Sequence, residues 1–508
     1  MKKSLQYAIA GVFVIGALGW HFLRDKAPVP PIPEANRVAI PAAAKGFTIG
    51  ALNFTACDLP QPHSSATSAA FCAPFAVPED RSKPDGRKID MRLALIKSDN
   101  AVADGFVFFI AGGPGQSAIN GWPQVAPSLA PLRKNRHILL MDQRGVGKSN
   151  PLECASMPDD TESNLDLVEQ RTRDCLAKVS KHADPSQYTT TAAVEDIEAL
   201  RTALGGPTLD LVGVSYGTRV AQQYLMRHPD GVRSVVLDSV APNSLAFGQD
   251  FARNLDDALK AQFANCTSVP ACKKAFDDPM ATLQALKARY EADPQTLKVR
   301  DPVDYSESDM RLDGDTLASV VRLYAYSPET AALLPLTIST AMKGDATPLL
   351  RQARLIFRGV EELANSGMSL SVVCSEDADR LHTNPTDAKT VLGGGMVDAL
   401  QRQCAIWPKG ARPADFNTSL VSDKPVLILE GELDPVTPPR YGEEVMKGLS
   451  NAKLLIAKGQ GHNVIGRGCI PKLVQRFVAD LAPAKLDSDC VDQLGPIPTF
   501  IDFSGATP

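Results

Sequence analysis

The stretch TLDLVGVSYG, Thr208 to Gly217, decides how the rest of the chain is read. Its first seven residues form an apolar run of the kind that buried central strands show, and helical spacing begins at Tyr216 and lasts to about His228. Between strand and helix stands Ser215, with Gly213 and Gly217 two positions to either side. A serine at such a junction sits on a sharp, strained turn that lifts its hydroxyl above the sheet, while the glycines let strand and helix approach closely. A plain glycine-rich turn is the competing reading, and the strand before and helix after weigh against it.

Working outward, the same alternation of strand and helix recurs. Lys88 to Lys97 (KIDMRLALIK) alternates as a strand should, and Gly105 to Ile110 (GFVFFI) and Arg136 to Asp142 (RHILLMD) are continuous apolar runs. Val232 to Val240 follows the serine helix as the next strand. Between Ala241 and Ser422 the alternation fades into mainly helical periodicity, then resumes with Pro425 to Glu430, Lys453 to Ala457 and a helix from Pro471 to about Leu481. The expected fold is α/β: a mostly parallel central sheet covered on both faces, interrupted by a large helical cap and then completed. The boundaries are a core from 48 to 242, a helical cap over 243–421, the rest of the core over 422–490, and a tail over 491–508.

Length and composition agree. The 508 residues exceed one small module, and 44% hydrophobic with 22% charged residues is ordinary for a globular chain. Fifty-three Lys and Arg against 58 Asp and Glu give a net charge of −5, with no basic run of five or more, so nucleic acid is not an expected partner.

The N-terminus points to export. Lys2 and Lys3 precede an apolar stretch from Ala8 to Leu18, and apolar character continues through Trp20, Phe22 and Leu23. Residues 1–23 therefore read as a signal peptide or as an uncleaved single-pass anchor, with everything beyond residue 24 outside. Residues 24–47 form a linker carrying Pro28, Pro30, Pro31, Pro33 and Pro41, a composition that favours extended backbone. The expected location is periplasmic, secreted, or tethered to the outer face of the inner membrane.

A serine hydroxyl needs a base within hydrogen-bond reach and a third group to orient that base. Asp434, in GELDPVTP just past a predicted strand, and His462, in GQGHN just past the next, supply both in the order Ser, Asp, His. Glu430 and Glu432 compete with Asp434. The other six histidines lie in the export segment, at a helix end or outside any glycine-rich loop. Acyl transfer also needs N–H donors aimed at the developing oxyanion. The AGGPG loop from Ala111 to Gly115 follows a strand directly, and Gly113 with the backbone N–H of Tyr216 is the expected pair. Neither metal-ligand spacing nor a phosphate-cradling glycine loop appears, so no cofactor is expected.

Five motifs taken together resemble a known family: Gly112-Gly113-Pro114-Gly115-Gln116-Ser117, Asp142 to Ser149 (DQRGVGKS), Gly213 to Gly217, Asp434 to Pro438, and Gly461-His462. Their order and spacing are similar to those of the α/β-hydrolase serine peptidases that include proline iminopeptidase and the secreted tripeptidyl aminopeptidases. The resemblance covers about residues 50 to 490, and the closing part resembles the C-terminal domain of the tripeptidyl branch. It implies release of N-terminal residues or short peptides from an oligopeptide through an acyl-enzyme on Ser215. Ala111 departs from the His that intracellular proline iminopeptidases carry before Gly-Gly-Pro-Gly, which suggests the secreted branch. The resemblance also implies acidic cap residues that hold the substrate's free ammonium, with Glu376 and Asp377 of VCSED as candidates beside the alternative of a solvated acidic loop. An esterase with the same triad is the alternative activity.

Ten cysteines suit an oxidising compartment. Sorted by neighbouring elements they predict five sequential disulfides: Cys57 with Cys72, Cys154 with Cys175, Cys266 with Cys272, Cys374 with Cys404, and Cys469 with Cys490.

Overall fold

The computed structural model describes residues 36–40, 44–61, 66–154, 164–361 and 366–506. The expected export segment and most of the linker lie outside the described residues. Within them, no helix is long and apolar enough to cross a membrane.

Among the described residues one sheet holds ten strands. Numbered along the chain they are β1 (Gly46–Ile49), β2 (Leu52–Pro60), β3 (Thr67–Pro78), β4 (Lys88–Ile96), β5 (Phe106–Ile110), β6 (His137–Met141), β7 (Leu209–Val214), β8 (Val232–Asp238), β9 (Val426–Gly431) and β10 (Ala452–Ala457). Their spatial order is 10-9-8-7-5-6-4-3-2-1. Strands β10 to β6 in that order pair in parallel, and β4 to β1 continue as antiparallel neighbours.

The parallel strands are apolar throughout because both their faces are covered. Phe106, Phe108 and Ile110 of β5 join one core with Val194, Ile197 and Leu200 of the helix Thr190–Ala203 and Val220 and Tyr224 of the helix Tyr216–Arg227. Val107 and Phe109 join a second core with Trp122 and Leu129 of the helix Trp122–Arg133 and Leu473 and Phe477 of the helix Ile470–Asp480. Strand β7 lies mid-sheet, which places its C-terminal end, and therefore Ser215, where loops from β5, β8, β9 and β10 converge.

The stretch expected to be one helical cap differs from that expectation in two ways. It contains an antiparallel hairpin, Gln295–Arg300 with Glu307–Leu312. It also divides its apolar residues between two cores. Leu255, Leu259, Leu286, Val321, Tyr324 and Leu350 build a core of their own, the lid proper. Met368, Val373, Cys374, Cys404, Trp407 and Leu420 instead join the core on the serine-helix face of the sheet. The physical reason is the helix Ser366–Glu376, buried at Gly367, Met368, Leu370, Ser371, Val372, Val373, Cys374 and Glu376. A helix with eight of its eleven residues buried must be enclosed, and the sheet layer encloses it.

All ten cysteines are bonded, in the pairs 57–72, 154–175, 266–272, 374–404 and 469–490. Cys266–Cys272 staples two lid helices, Phe251–Ser268 and Pro270–Phe276. The tail runs from the loop after β10 to the lid: Gln460 Nε2 donates to Gly495 O at 3.0 Å, and Phe500 N donates to Ala332 O at 3.1 Å.

Candidate active site

Ser215 follows β7 directly and caps the helix Tyr216–Arg227 with φ 55° and ψ −124°. A non-glycine residue held in that region costs on the order of 1–3 kcal/mol and persists only when its surroundings impose it. Those surroundings are visible. Ser215 N donates to Asp238 O at 2.8 Å, and Ser215 O accepts from Thr218 N at 2.9 Å and Thr218 Oγ1 at 2.6 Å. A Cβ on Gly213 would lie 2.5 Å from Gly217 O, and one on Gly217 would lie 2.2 Å from Ile110 O. Both glycines of the motif are therefore required by backbone contact.

Asp434 sits in the loop after β9, 1% exposed. Its Oδ1 accepts from Val436 N and Thr437 N, each at 2.8 Å, and its Oδ2 accepts from Thr437 Oγ1 at 3.0 Å. The same Oδ2 lies 2.7 Å from His462 Nδ1. A carboxylate there requires the proton on Nδ1, which leaves Nε2 as the basic nitrogen. The hydroxyl of Ser215 is not hydrogen-bonded to the ring in this structure; such bonds commonly tighten only around substrate. The two competing carboxylates do not touch His462. Glu430 accepts from Val240 N at 3.2 Å and is held well above the usual carboxylate range by burial and then by the nearby Asp434 charge. Glu432 accepts from Gly459 N at 2.8 Å.

The lid reaches both loops. Tyr326 O accepts the backbone N–H of His462 at 2.8 Å, and the Tyr326 ring packs edge-on against the imidazole, centroids 5.2 Å apart. Asn254 Nδ2 donates to Val436 O at 2.7 Å. Nothing in the residue types at 254 or 326 signalled this, because the contacts join segments more than 130 residues apart.

The glycine loop after β5 stands against the serine turn. A Cβ on Gly112 would lie 3.0 Å from that of Ser215, and Gly113 has φ +105°. Neither Gly113 N nor Tyr216 N donates to another group among the described residues, so both N–H groups are free to meet an oxyanion. Asp142 of the DQRGVGKS motif holds this loop, a role the motif match alone did not disclose. Fully buried, it accepts from Ser117 Oγ at 2.6 Å, Ile119 N at 3.1 Å and Lys148 N at 3.4 Å. Burial raises its carboxyl above the ordinary range, against the pull of those donors.

Glu376 and Asp377, the residues expected to hold a substrate amine, are engaged by protein groups. Both are buried and have protein partners. Glu376 Oε1 accepts from Thr190 N at 2.6 Å and Oε2 from Thr190 Oγ1 at 2.8 Å, and Thr190 Oγ1 lies 2.7 Å from Tyr216 Oη. Asp377 Oδ2 accepts from Arg219 at 3.0 Å, and Oδ1 accepts from Arg380. The apolar helix that ends in VCSE draws Glu376 inside with it. Burial pushes its carboxyl up to about 7, opposed by Arg219.

A pH dependence of stability follows. With the folded value above the unfolded one, burial favours the protonated form. The contribution is complete below the unfolded value of about 4.3 and is lost as pH rises through about 7. At 1.36 kcal/mol per pH unit the effect reaches about 4 kcal/mol. Glu376→Gln keeps the acceptor for Thr190 N and removes the titration. Its Tm is expected to fall less steeply than wild type between pH 5 and 8, with KM changed less than about threefold. A rise in KM of tenfold or more for free-amine peptides would restore Glu376 as an amine-binding residue.

Comparison with known proteins places this geometry. A family model described as alpha/beta hydrolase fold matches residues 105–467. "Serine protease Hip1" of Mycobacterium tuberculosis (strain ATCC 25618 / H37Rv) is 26% identical over 466 residues, covering 84% of this chain and 88% of that protein. YuaR of Escherichia coli (strain K12) is 35% identical over 435 residues, covering 78% and 81%. The "Tripeptidyl aminopeptidase" of Streptomyces lividans is 24% identical over 478 residues, covering 84% of each.

Proposed function

The chain belongs to the α/β-hydrolase fold family, and from that premise we propose that it is an exported serine exopeptidase, releasing N-terminal residues or di- and tripeptides from oligopeptides. The observation that carries the reading is the Asp434–His462 pair at 2.7 Å, on loops beside the strained Ser215 turn and an N–H-lined glycine loop. Ser215 Oγ attacks the scissile carbonyl carbon while His462 Nε2 takes its proton. The oxygen that gains charge meets the N–H groups of Gly113 and Tyr216. The C–N bond then breaks, the leaving amine receives the proton from His462, and water, activated by the same nitrogen, releases the acyl group as a carboxylic acid. The names of the peptidase relatives support peptide bonds as the target, and five disulfides support an oxidising compartment outside the cytosol. Within that reading the protein is periplasmic, secreted, or tethered by residues 1–23.

The test is a panel of chromogenic di- and tripeptidyl amides with free and blocked amino termini, with product masses from one defined peptide. Free-amine substrates are expected to turn over at least 100-fold faster in kcat/KM. Equal rates on blocked substrates would exclude the exopeptidase part, and turnover of esters alone would assign an esterase.

A further inference from the structure

Strand β8 ends beside the serine turn, and its last residue and the one after it reach in two directions. Asp238 pairs in register with Val214 on one side and Leu429 on the other. Its backbone O accepts from Ser215 N at 2.8 Å. Its carboxylate accepts from the other arm of the site: Oδ1 from Val464 N at 2.9 Å and Oδ2 from Ile465 N at 3.1 Å. Ser239 adds the third bond, its Oγ accepting from Asn463 N at 2.8 Å, while its own N donates to Leu429 O at 2.9 Å. Three successive N–H groups directly after His462 thus converge on two successive side chains, an anion-holding arrangement of backbone donors. Ser239 at φ 59° and Asn463 at φ 68° both occupy the left-handed region, so the backbone on each side is bent to make this fit.

We propose that Asp238 and Ser239 are positioning residues that set the distance between the nucleophile Ser215 and the base His462. The proposal rests on the reading of His462 as the base. One dipeptide holds the nucleophile by its main chain and the base loop by its side chains, so a shift of either side chain moves His462 relative to Ser215 without touching substrate. Asp238 is fully buried, and among the described residues no Lys or Arg pairs with it. The charges facing it are His462 and Asp434 from the two triad loops and Glu430 from β9. An ionised Asp238 and a protonated His462 stabilise one another, whereas Asp434 opposes ionisation of Asp238. Burial pushes the Asp238 carboxyl up to about 6. Below that pH the carboxyl gains a proton, one N–H of the base loop loses its acceptor, and the clamp loosens.

The experiment compares Asp238→Asn, Ser239→Ala and His462→Ala with wild type on one peptidyl amide, with Tm as the control for folding. Asn keeps one acceptor and turns an NH2 toward the second N–H, so the clamp is half lost. Asp238→Asn is expected to lower kcat on the order of 10- to 100-fold, and Ser239→Ala about three- to tenfold, each with KM within about twofold. A merely structural role would not move the second readout. In wild type the acid limb of log(kcat/KM) against pH steepens beyond a slope of one, because Asp238 and His462 both gain protons, and in Asp238→Asn it returns to one. Wild-type kcat and slope in both clamp variants, with His462→Ala inactive, would overturn the proposal. Full activity in His462→Ala would instead overturn the functional reading beneath it. If Asp238→Asn does not fold, Ser239→Ala decides: a lower kcat with KM and Tm unchanged supports the clamp, and no change overturns it.

Discussion

Ser215→Ala is expected to lose on the order of 10⁴- to 10⁶-fold in kcat on a peptidyl amide, because removing one member of a catalytic triad removes the covalent route as a whole. Its stability is expected to stay within about 1 kcal/mol of wild type, for three structural reasons. The hydroxyl makes no hydrogen bond among the described residues, the bonds that hold the turn belong to the main chain at Ser215 N and O, and alanine faces the same φ of 55° as serine. Loss of labelling by a fluorophosphonate probe, with an unchanged melting curve, is the measurement. Retention of more than a few per cent of activity would show that another residue is the nucleophile.

Asp434→Asn is the second large effect, on the order of 10⁴-fold in kcat, and it acts through proton placement. Asp434 Oδ1 already accepts from Val436 N and Thr437 N, which leaves Oδ2 for Thr437 Oγ1 and His462 Nδ1. An asparagine satisfying the two backbone donors with its carbonyl must turn its NH2 toward Nδ1. The imidazole then accepts at Nδ1 and carries its proton on Nε2, facing Ser215, where no proton can be received. Loop geometry survives because the two backbone bonds survive, so KM is expected to change less than about threefold. A fall in kcat below tenfold would mean that Asp434 is not the group that orients His462, and Glu430 and Glu432, which lack contact with the ring, would not replace it.

Much of the fold was legible because its signals are local. The continuous apolar strands β5, β6, β7 and β9 read as buried parallel strands, and all lie within the parallel half of the sheet, covered on both faces. The glycines at 213 and 217 were legible for a similar reason: a close approach of backbones admits no Cβ, and that constraint is written in the residue type. The lid was read less well. Periodicity identifies a helix but not which core encloses it, so the helix Ser366–Glu376 was assigned to the cap although its apolar residues belong to the sheet layer.

That misassignment also explains Glu376 and Asp377. The family resemblance implied contact with a substrate amine, yet the meaning of a carboxylate depends on what faces it. Thr190, Arg219 and Arg380 face these two, from positions 3 to 186 residues away along the chain. Asp142 and Asp238 went the other way: unremarked in sequence as single residues, both are buried carboxylates holding backbone N–H groups around the site.

The sequence by itself determined the strands from β4 onward to within a residue or two, the strained serine turn, and the residue types able to act as nucleophile, base and orienter, because each follows from the period and steric limits of a few neighbouring residues; the antiparallel strands β1 to β3 were not read from it. Only the tertiary structure decided which carboxylate meets His462, what holds the base loop against Ser215, and that Glu376 and Asp377 face inward. Those outcomes are set by contacts between distant segments, where a side chain's desolvation and its hydrogen-bond partners come from chain far removed in sequence.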